Sequence, residues 1–276
     1  MTVHVPDTLT IDYSEKYIMS IRLRPGGLSF SGYAPSEAES FFYREVEFDR
    51  AVPFLSSLQE FFFANECLSW AYKRVHVVSV SAGYTIVPRS FFREEEKGRL
   101  LDFNFAVPSP FCRSQSLAGE EAELVYPMDE DVYKFCSRSL SRPFFSHYLV
   151  PLLDLWKKRS RSVAARQMYV VVEKGRMDVA CYASGGGLLF VNTFPISRAD
   201  DRMYYILYVW KEVGLDPRED QLLLSGEPRL TADLGDSLRM YLRHVQPMEI
   251  PSEAYLWGTE VAKAPLDVIS LFVCES

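Results

Sequence analysis

The clearest local pattern in the sequence is Tyr17-Ile-Met-Ser-Ile-Arg-Leu23, followed by Arg24-Pro-Gly-Gly27 and then by Leu28-Ser-Phe-Ser-Gly-Tyr33. The two outer segments are apolar or alternate between apolar and polar residues, as β-strands do. The Pro-Gly-Gly between them is a turn signal. The pattern therefore predicts a β-hairpin over residues 17–33.

The first half continues beyond this hairpin with a strand, a helix and a further strand. A third strand is expected at Phe41–Phe48, and a β-branched strand at Val75–Ser81, before Ala82-Gly83. Between them, apolar residues near a 3.6-residue spacing predict a helix over Val52–Trp70. A charged helical segment is expected at Phe91–Leu101. The order of elements is thus β-β-β-α-β-α.

The second half repeats this order with comparable spacing. Gln167–Glu173 and Arg176–Tyr182 flank the turn Lys174-Gly175, and a third strand is expected at Leu188–Phe194. A helix is expected from an N-cap at Ser197 to Gly214, a residue suited to end a helix. The following strand ends in Ser225-Gly226, and another helix comes after it. Two blocks with one order indicate an internal duplication.

This order predicts an α/β fold, with mixed α+β layers in which helices cover mixed sheets. It is the order of the ribonuclease H-like unit, and two such units in tandem form the actin-like ATPase architecture. We expect lobes at residues 1–160 and 161–276, with a cleft between them. Strands at Glu123–Tyr126 and Pro143–His147 are expected to complete the edge of the first sheet. Residues 106–122, rich in proline, serine and glycine, are expected to form a flexible loop.

Three features of the chain resemble those of an uncharacterised bacterial family found chiefly in Bacteroidetes. They are Tyr84-Thr-Ile-Val-Pro-Arg-Ser-Phe-Phe92, the pair of hairpins, and Leu222-Leu-Leu-Ser-Gly-Glu227. The similarity extends from about Leu9 to Val273 and implies the actin-like ATPase fold without an established activity. More distantly, the layout is similar to that of cytoplasmic actin-like proteins of type IV pilus and type II secretion machines. That similarity implies a role through protein contacts.

The resemblance also indicates where a nucleotide would bind. In ATP-binding actin-like proteins, two hairpin turns of the Asp-x-Gly type and a glycine loop surround the nucleotide. Glycine lets backbone N–H groups approach phosphate oxygens, and aspartate organises Mg²⁺ and water. The candidate cofactor-binding residues in this chain are Gly26 and Gly27, Lys174 and Gly175, and Ser225, Gly226 and Glu227.

These turns depart from the ATP-binding pattern. The first turn has no carboxylate, and its Pro25 has no N–H. The second has one glycine and one acid, and Ser225-Gly226 lacks the paired glycines of the adenosine loop. We therefore assign no catalytic residue, no metal ligand and no cofactor. The alternative is an ATP-binding switch or weak ATPase that holds Mg²⁺-ATP in the cleft. A simpler interpretation of the hairpin glycines is that tight turns need a positive φ.

Charge and side-chain spacing disfavour several other functions. The chain of 276 residues has 30 Lys+Arg against 37 Asp+Glu, a net charge of −7, whereas nucleic-acid binders usually carry a basic face. A nuclease of ribonuclease H type needs converging carboxylates. The candidates Glu173, Asp178 and Glu227 are interpreted as ordinary surface carboxylates. The four histidines and five cysteines lack the spacing of a metal site or a disulfide framework.

These observations favour a non-catalytic cytoplasmic protein that acts as a protein-interaction or scaffold module. The start of the sequence lacks a basic leader and an apolar core, and no apolar run is long enough to span a bilayer. We therefore expect no membrane insertion. The 16 tyrosines and 19 phenylalanines are expected to lie mostly in the core. Some of those in Phe61–Phe63 and Tyr204-Tyr205 could instead meet an unidentified protein partner.

Overall fold

The computed structural model describes residues 3–275, and two five-stranded sheets with one strand order form their framework. The strands are β1 (Ile18–Arg24), β2 (Gly27–Tyr33), β3 (Phe42–Glu47), β4 (Arg74–Ser79), β5 (Thr85–Pro88), β6 (Cys112–Ser116), β7 (Ala122–Pro127), β8 (Phe144–His147), β9 (Gln167–Glu173), β10 (Arg176–Tyr182), β11 (Leu188–Pro195), β12 (Gln221–Gly226) and β13 (His244–Pro247). The α-helices are α1 (Phe54–Ala64), α2 (Lys97–Asp102), α3 (Glu130–Ser139), α4 (Leu149–Ser160), α5 (Ala199–Glu212), α6 (Pro228–Arg239) and α7 (Leu266–Glu275).

Both sheets have their third strand at one edge and their first strand in the middle. The first sheet has the order β3-β2-β1-β4-β8 and the second β11-β10-β9-β12-β13. In each sheet the first three strands form an antiparallel meander, and the last two lie parallel to the central strand. The predicted duplication of a ribonuclease H-like unit is confirmed in this order.

The register makes the two hairpins equivalent residue by residue. The last pair before the turn is Arg24↔Gly27 in the first hairpin and Glu173↔Arg176 in the second. Each hairpin is also joined to its neighbouring parallel strand from its first residue, Ile18 or Gln167. Positions in β1 and β9 therefore correspond one to one.

The core of each unit lies where apolar strand residues meet a helix. In the first unit, Ile21 and Phe30 pack with Leu58 and Phe61 of α1, and all four are buried. In the second, residues of β9, β10 and β12 pack with α5 and α6, including Ile206 and Leu238, which are fully buried. Burial of these side chains supplies the main driving force for folding.

A three-stranded sheet, ordered β5-β7-β6, forms a separate layer of the first unit. Two expectations were wrong here. The strand at Glu123–Tyr126 belongs to β7 of this sheet and not to the five-stranded sheet, whose edge is β8 alone. The expected loop over residues 106–122 contains β6, which is ordered by antiparallel pairing with β7.

The chain divides into two compact units that differ from the expected lobes 1–160 and 161–276. One consists of the residues up to Val150 together with those from Pro251 onward, and the other is Pro151–Ile250. The end of α4 belongs with the second sheet because the Trp156 ring stacks on Tyr169 at 5.4 Å. The segment after residue 250 belongs with the first, where Phe272 of α7 meets Tyr33 at 5.3 Å.

Two smaller differences concern helix ends. The predicted helix over Val52–Trp70 stops at Ala64 and gives way to a 3-10 turn at Glu66–Ser69. The N-cap of α5 is Arg198 and not Ser197. The Asp201 carboxylate accepts the backbone N–H of Arg198 at 2.8 Å and that of Ser197 at 3.1 Å. Among the described residues, no helix combines the length and apolar character needed to cross a membrane.

Candidate functional site

The second hairpin turn and the start of α6 meet in the second unit. The Lys174 backbone N–H donates to Glu227 Oε1 at 2.9 Å, and the Glu227 N–H donates to the Val172 carbonyl at 3.0 Å. The structure thus brings Lys174 and Gly175 beside Gly226 and Glu227, with Ser225 preceding them at the end of β12. In a phosphate-binding turn such an N–H would face an anion; here the chain's own carboxylate takes it.

The two glycines of this region are required for different reasons. Gly175 has φ +80°, and a side-chain carbon there would meet nothing within 4 Å. Gly226 has φ +127°, and a side-chain carbon there would lie 2.0 Å from the Val172 carbonyl oxygen. The first glycine therefore serves the turn, whereas the second permits close approach of β12 to β9.

The neighbouring acids are engaged in contacts within the sheet. Arg176 pairs with Glu173 at 3.0 Å and lies 3.6 Å from Asp178. The interpretation of Asp178 as a surface carboxylate was wrong, because this residue is buried and accepts a hydrogen bond from the Thr193 hydroxyl at 2.7 Å. Among residues 3–275, no three His, Cys, Asp or Glu side chains converge as metal ligands would. These contacts indicate that Glu173 and Asp178 stabilise the hairpin.

The first hairpin turn, in the other unit, is attached to β3. The Gly26 carbonyl accepts the Phe48 N–H at 2.8 Å, and Arg24 pairs with Glu45 at 3.0 Å and with Glu47 at 2.7 Å. Gly26 has φ +85°, as a tight turn requires. A side-chain carbon at Gly27 would lie 2.1 Å from the Val46 carbonyl oxygen. Arg24 and the two glycines of this turn thus hold the turn against β3.

One buried ion pair was missed by the sequence analysis. Arg22 of β1 and Asp267 of α7 are each 3% exposed, and Arg22 Nε lies 2.6 Å from Asp267 Oδ2. The signal in the sequence was a charged residue within an otherwise buried strand. Its partner lies 245 positions away, so that no local pattern could identify it.

One histidine and two cysteines are buried side chains whose pKa values are shifted so that the neutral form is favoured. Burial lowers the pKa of His76 to about 4 and raises those of Cys136 and Cys181 to about 12. A thiol with such a pKa is protonated at neutral pH and is a poor nucleophile. None of the five cysteines, all of which lie within residues 3–275, forms a disulfide, and four of them are buried.

Some aromatic side chains are exposed, as the sequence analysis allowed. Phe61 and Phe62 lie in the core, but Phe63 is 91% exposed. On α5, Tyr204 is 63% exposed, and its ring stacks against that of Tyr208 with centroids 6.0 Å apart. Exposed aromatic rings are typical of surfaces that bind other proteins.

Comparisons with known proteins agree with this architecture. A family model described as "Protein of unknown function (DUF3822)" matches residues 6–245. The chain is similar to a solved protein from Bacteroides thetaiotaomicron VPI-5482 that has an actin-like ATPase fold and unknown function. Their identity is 27% and the TM-score 0.82, over 96% of this chain and 99% of that one. The predicted actin-like ATPase fold is thus confirmed.

Two further structures are similar at a lower level. They are the PilM-PilN type IV pilus biogenesis complex (13% identity, TM-score 0.49, 92% of this chain and 98% of that one) and the cytoplasmic domain of EpsL, an inner membrane component of the type II secretion system of Vibrio cholerae (11%, 0.46, 94% and 95%). Similarity at this level carries no functional argument. No curated protein matches the chain.

Proposed function

This chain belongs to the DUF3822 family of proteins of unknown function, and we propose that it is a non-catalytic cytoplasmic module that binds another protein. The observation that carries this proposal is the contact of Glu227 with the Lys174 N–H at 2.9 Å. A carboxylate at this position competes with a phosphate oxygen for the same donor. It also adds negative charge where a nucleotide would bring more, so phosphate binding there is opposed.

The remaining features support the same conclusion. The first turn offers no carboxylate to organise Mg²⁺, and the only charged side chain within it, Arg24, pairs with Glu45 and Glu47. Exposed aromatic rings such as Phe63 and Tyr204 supply surface of the kind that protein partners cover. The buried free thiols suit a reducing compartment such as the cytoplasm.

An ATP-binding switch is the alternative function. Gly175 favours it, because this exposed turn glycine keeps a positive φ and has open space beside it, as a phosphate-binding turn would. Retention of such a turn after loss of its carboxylates would allow nucleotide binding without hydrolysis. The two functions differ in one measurable property, the stabilisation of the folded chain by Mg²⁺-ATP.

Thermal unfolding with and without Mg²⁺-ATP tests the proposal. A site filled at about 100 times its Kd would stabilise the folded state by about 2.7 kcal/mol and raise the melting temperature. We expect no increase at millimolar Mg²⁺-ATP and no release of phosphate. An increase that is lost in Gly175→Val would overturn the non-catalytic, nucleotide-free proposal in favour of the switch.

Glu227→Gln is the matched variant for this experiment. It keeps the side chain's shape and its hydrogen-bonding oxygen but removes the charge. If the carboxylate opposes phosphate binding, the variant should respond to Mg²⁺-ATP more strongly than the unmodified chain. Asp233→Asn, an exposed substitution on the same helix, serves as the control for the loss of one negative charge.

A further inference from the structure

A groove of about 530 Å³ opens in the first unit between α3 and two sheet edges. Arg113–Ser116 of β6 lines one side, Phe144 and Phe145 of β8 line another, and Tyr133 of α3 lies beside them. β6 is the last strand of the three-stranded sheet, and β8 is the last strand of the first five-stranded sheet. Free strand edges are usually covered or blocked, because their unpaired backbone groups attract further strands.

The pairing of β6 with β7 determines which backbone groups point away from β7. The Met128 N–H donates to the Phe111 carbonyl at 3.2 Å, and the Leu117 N–H donates to the Ala122 carbonyl at 3.1 Å. Hydrogen-bonded positions alternate along an antiparallel pair. Ser114 and Ser116 therefore direct their N–H and C=O groups to the free edge, where they line the groove.

Arg113 supplies the only charged side chain that lines the groove. Its guanidinium carbon lies 4.9 Å from the centre of the Tyr133 ring and 5.7 Å from that of Phe145. Nη1 donates to the Tyr133 hydroxyl at 3.3 Å. Across the described part of the chain, no carboxylate lies within ion-pair distance of Arg113. The half-buried cation thus forms no direct ion pair, and Glu94 interacts with it electrostatically without such a contact.

Glu94, an acid of the 3-10 turn beside β6, has direct contacts with other residues. The Ser114 hydroxyl donates to Glu94 at 2.9 Å, and Glu94 forms an ion pair with Lys97. Ser114 and Arg113 are adjacent in β6, so their side chains point to opposite faces of the strand. Glu94 therefore does not occupy the Arg113 guanidinium, which can still pair with an incoming carboxylate.

We propose that this groove binds an extended, acidic segment of a protein partner. The segment adds a strand to the free edge of β6 through Ser114 and Ser116, and one of its carboxylates pairs with Arg113. Strand addition gives affinity through main-chain hydrogen bonds, and the Arg113 contact gives the preference for acid. This inference rests on the proposed function, since it names the partner class that the module binds.

Nuclear magnetic resonance of the full ¹⁵N-labelled chain tests the inference with a defined probe. The probe is a short peptide of alternating valine and glutamate with both ends blocked, and its comparator has lysine in place of glutamate. We expect the glutamate peptide to shift the Ser114 and Ser116 amide signals in a saturable way, and the lysine peptide to leave them unchanged. The absence of such shifts, or equal shifts with both peptides, would overturn the inference.

Two variants separate the main-chain and charge contributions. Arg113→Gln should weaken binding of the glutamate peptide about tenfold, as expected for loss of a charge-assisted contact. Ser114→Pro should abolish binding, because it removes an edge N–H that β7 does not use. Ser114→Ala is the matched control, since it removes only the hydroxyl and should bind as the unmodified chain does. Unchanged binding by Arg113→Gln contradicts the inference even if Ser114→Pro fails to fold.

Crosslinking in the cells of origin distinguishes failure of the groove from failure of the proposed function. A photoreactive residue replaces Phe144 in the groove in one variant and Tyr204 on α5 in another. Crosslinking from position 144 that Arg113→Gln abolishes supports the groove. A partner captured only from position 204, or one whose capture does not depend on Arg113, contradicts binding in the groove but still supports the proposed function as a protein-binding module.

A second copy of the chain could also occupy the groove. In that case the nuclear magnetic resonance signals of Ser114 would shift with protein concentration alone, which would also refute the inference.

Discussion

The two hairpins lie at equivalent positions in sheets of the same order, yet different contacts hold them in place. In the first, Arg22 is buried against Asp267, whereas the equivalent position in β9 is Val171, which is also 3% exposed. The first turn is attached to β3 by Arg24, and the second is closed by Glu227. A shared strand order thus requires an apolar pattern and a turn, while the charged contacts differ between the copies.

The parallel strand beside each hairpin shows the same divergence. His76 of β4 pairs with Ser20, and at the equivalent place in the second sheet Leu223 of β12 pairs with Tyr169. Both His76 and Leu223 are buried. The first unit therefore contains a buried cation and a buried titratable ring where the second has Val171 and Leu223. At these two positions the stability of the first sheet should depend on charge and on pH, whereas that of the second should not.

The largest effect is expected from Asp267→Asn. This change removes the carboxylate that pairs with the buried Arg22 guanidinium, and breaking a buried ion pair typically costs about 3–5 kcal/mol. Denaturant unfolding should show this loss. The double variant Arg22→Val with Asp267→Leu, which makes the position resemble Val171, should recover most of it, since apolar replacement of a buried pair is often neutral.

The exposed pair Lys134–Glu130 is the control for this experiment. Its nitrogen and oxygen lie 2.9 Å apart, and both side chains are about half exposed. Removal of Glu130 by Glu130→Gln should change stability by less than about 0.5 kcal/mol. Equal effects at Asp267 and Glu130 would contradict the contrast between the two hairpins.

A somewhat smaller loss, of about 3 kcal/mol, is expected from Gly226→Ala. The added carbon would overlap the Val172 carbonyl and force β12 away from β9, in addition to the strain of φ +127°. Gly175→Ala is the matched variant, because it has a positive φ but open space, and it should cost only about 1 kcal/mol. Melting temperatures compare the two directly. Similar losses would mean that conformational strain alone explains both glycines.

The third effect is an acid sensitivity of the first sheet that should not exceed about 3 kcal/mol. Burial disfavours the charged imidazolium and lowers the pKa of His76 to about 4, with Arg74 adding to the shift. As the pH falls below about 6.5, the unfolded chain takes up this proton before the folded chain does. Stability is therefore lost between about pH 6.5 and pH 4.

His76→Leu, which copies the residue of the second sheet, should flatten this part of the stability profile. The carboxylates that also titrate at low pH are the same in both proteins, so the difference between the two profiles isolates His76. Urea unfolding at several pH values supplies both curves. Identical slopes for the variant and the unmodified chain would rule out His76 as the source of the acid sensitivity.

The parts of the fold that the sequence predicted are those with a local signal. Alternating apolar residues and glycine turns identified both hairpins, and the repeated order identified the duplication. β6 was missed because Arg113-Ser-Gln-Ser116 is polar throughout and is a strand only through its pairing with β7. β13 was missed for a related reason, since it has four residues, includes a proline and pairs with one strand.

The contacts among the candidate residues could not be predicted from the sequence. Lys174, Gly226 and Glu227 were selected because ATP-binding actin-like proteins, which the chain resembles, use the equivalent hairpin turn and glycine loop to hold a nucleotide. The hydrogen bond that connects Lys174 to Glu227 joins residues 53 positions apart. Which oxygen meets which N–H depends on the register of β9 against β12, and that register follows from packing of the whole sheet. The groove beside Arg113 could not be predicted from the sequence for the same reason.

The division of the chain also affects the order in which its parts can be completed during synthesis. Residues 151–250 form a contiguous unit, whereas the other unit needs residues from both sides of it. The later unit in the sequence has all its strands once Pro247 has been added to the chain, and at that stage Asp267 has not yet been translated. Until Asp267 is present, its ion pair with Arg22 cannot form, and the first unit lacks the segment that completes it.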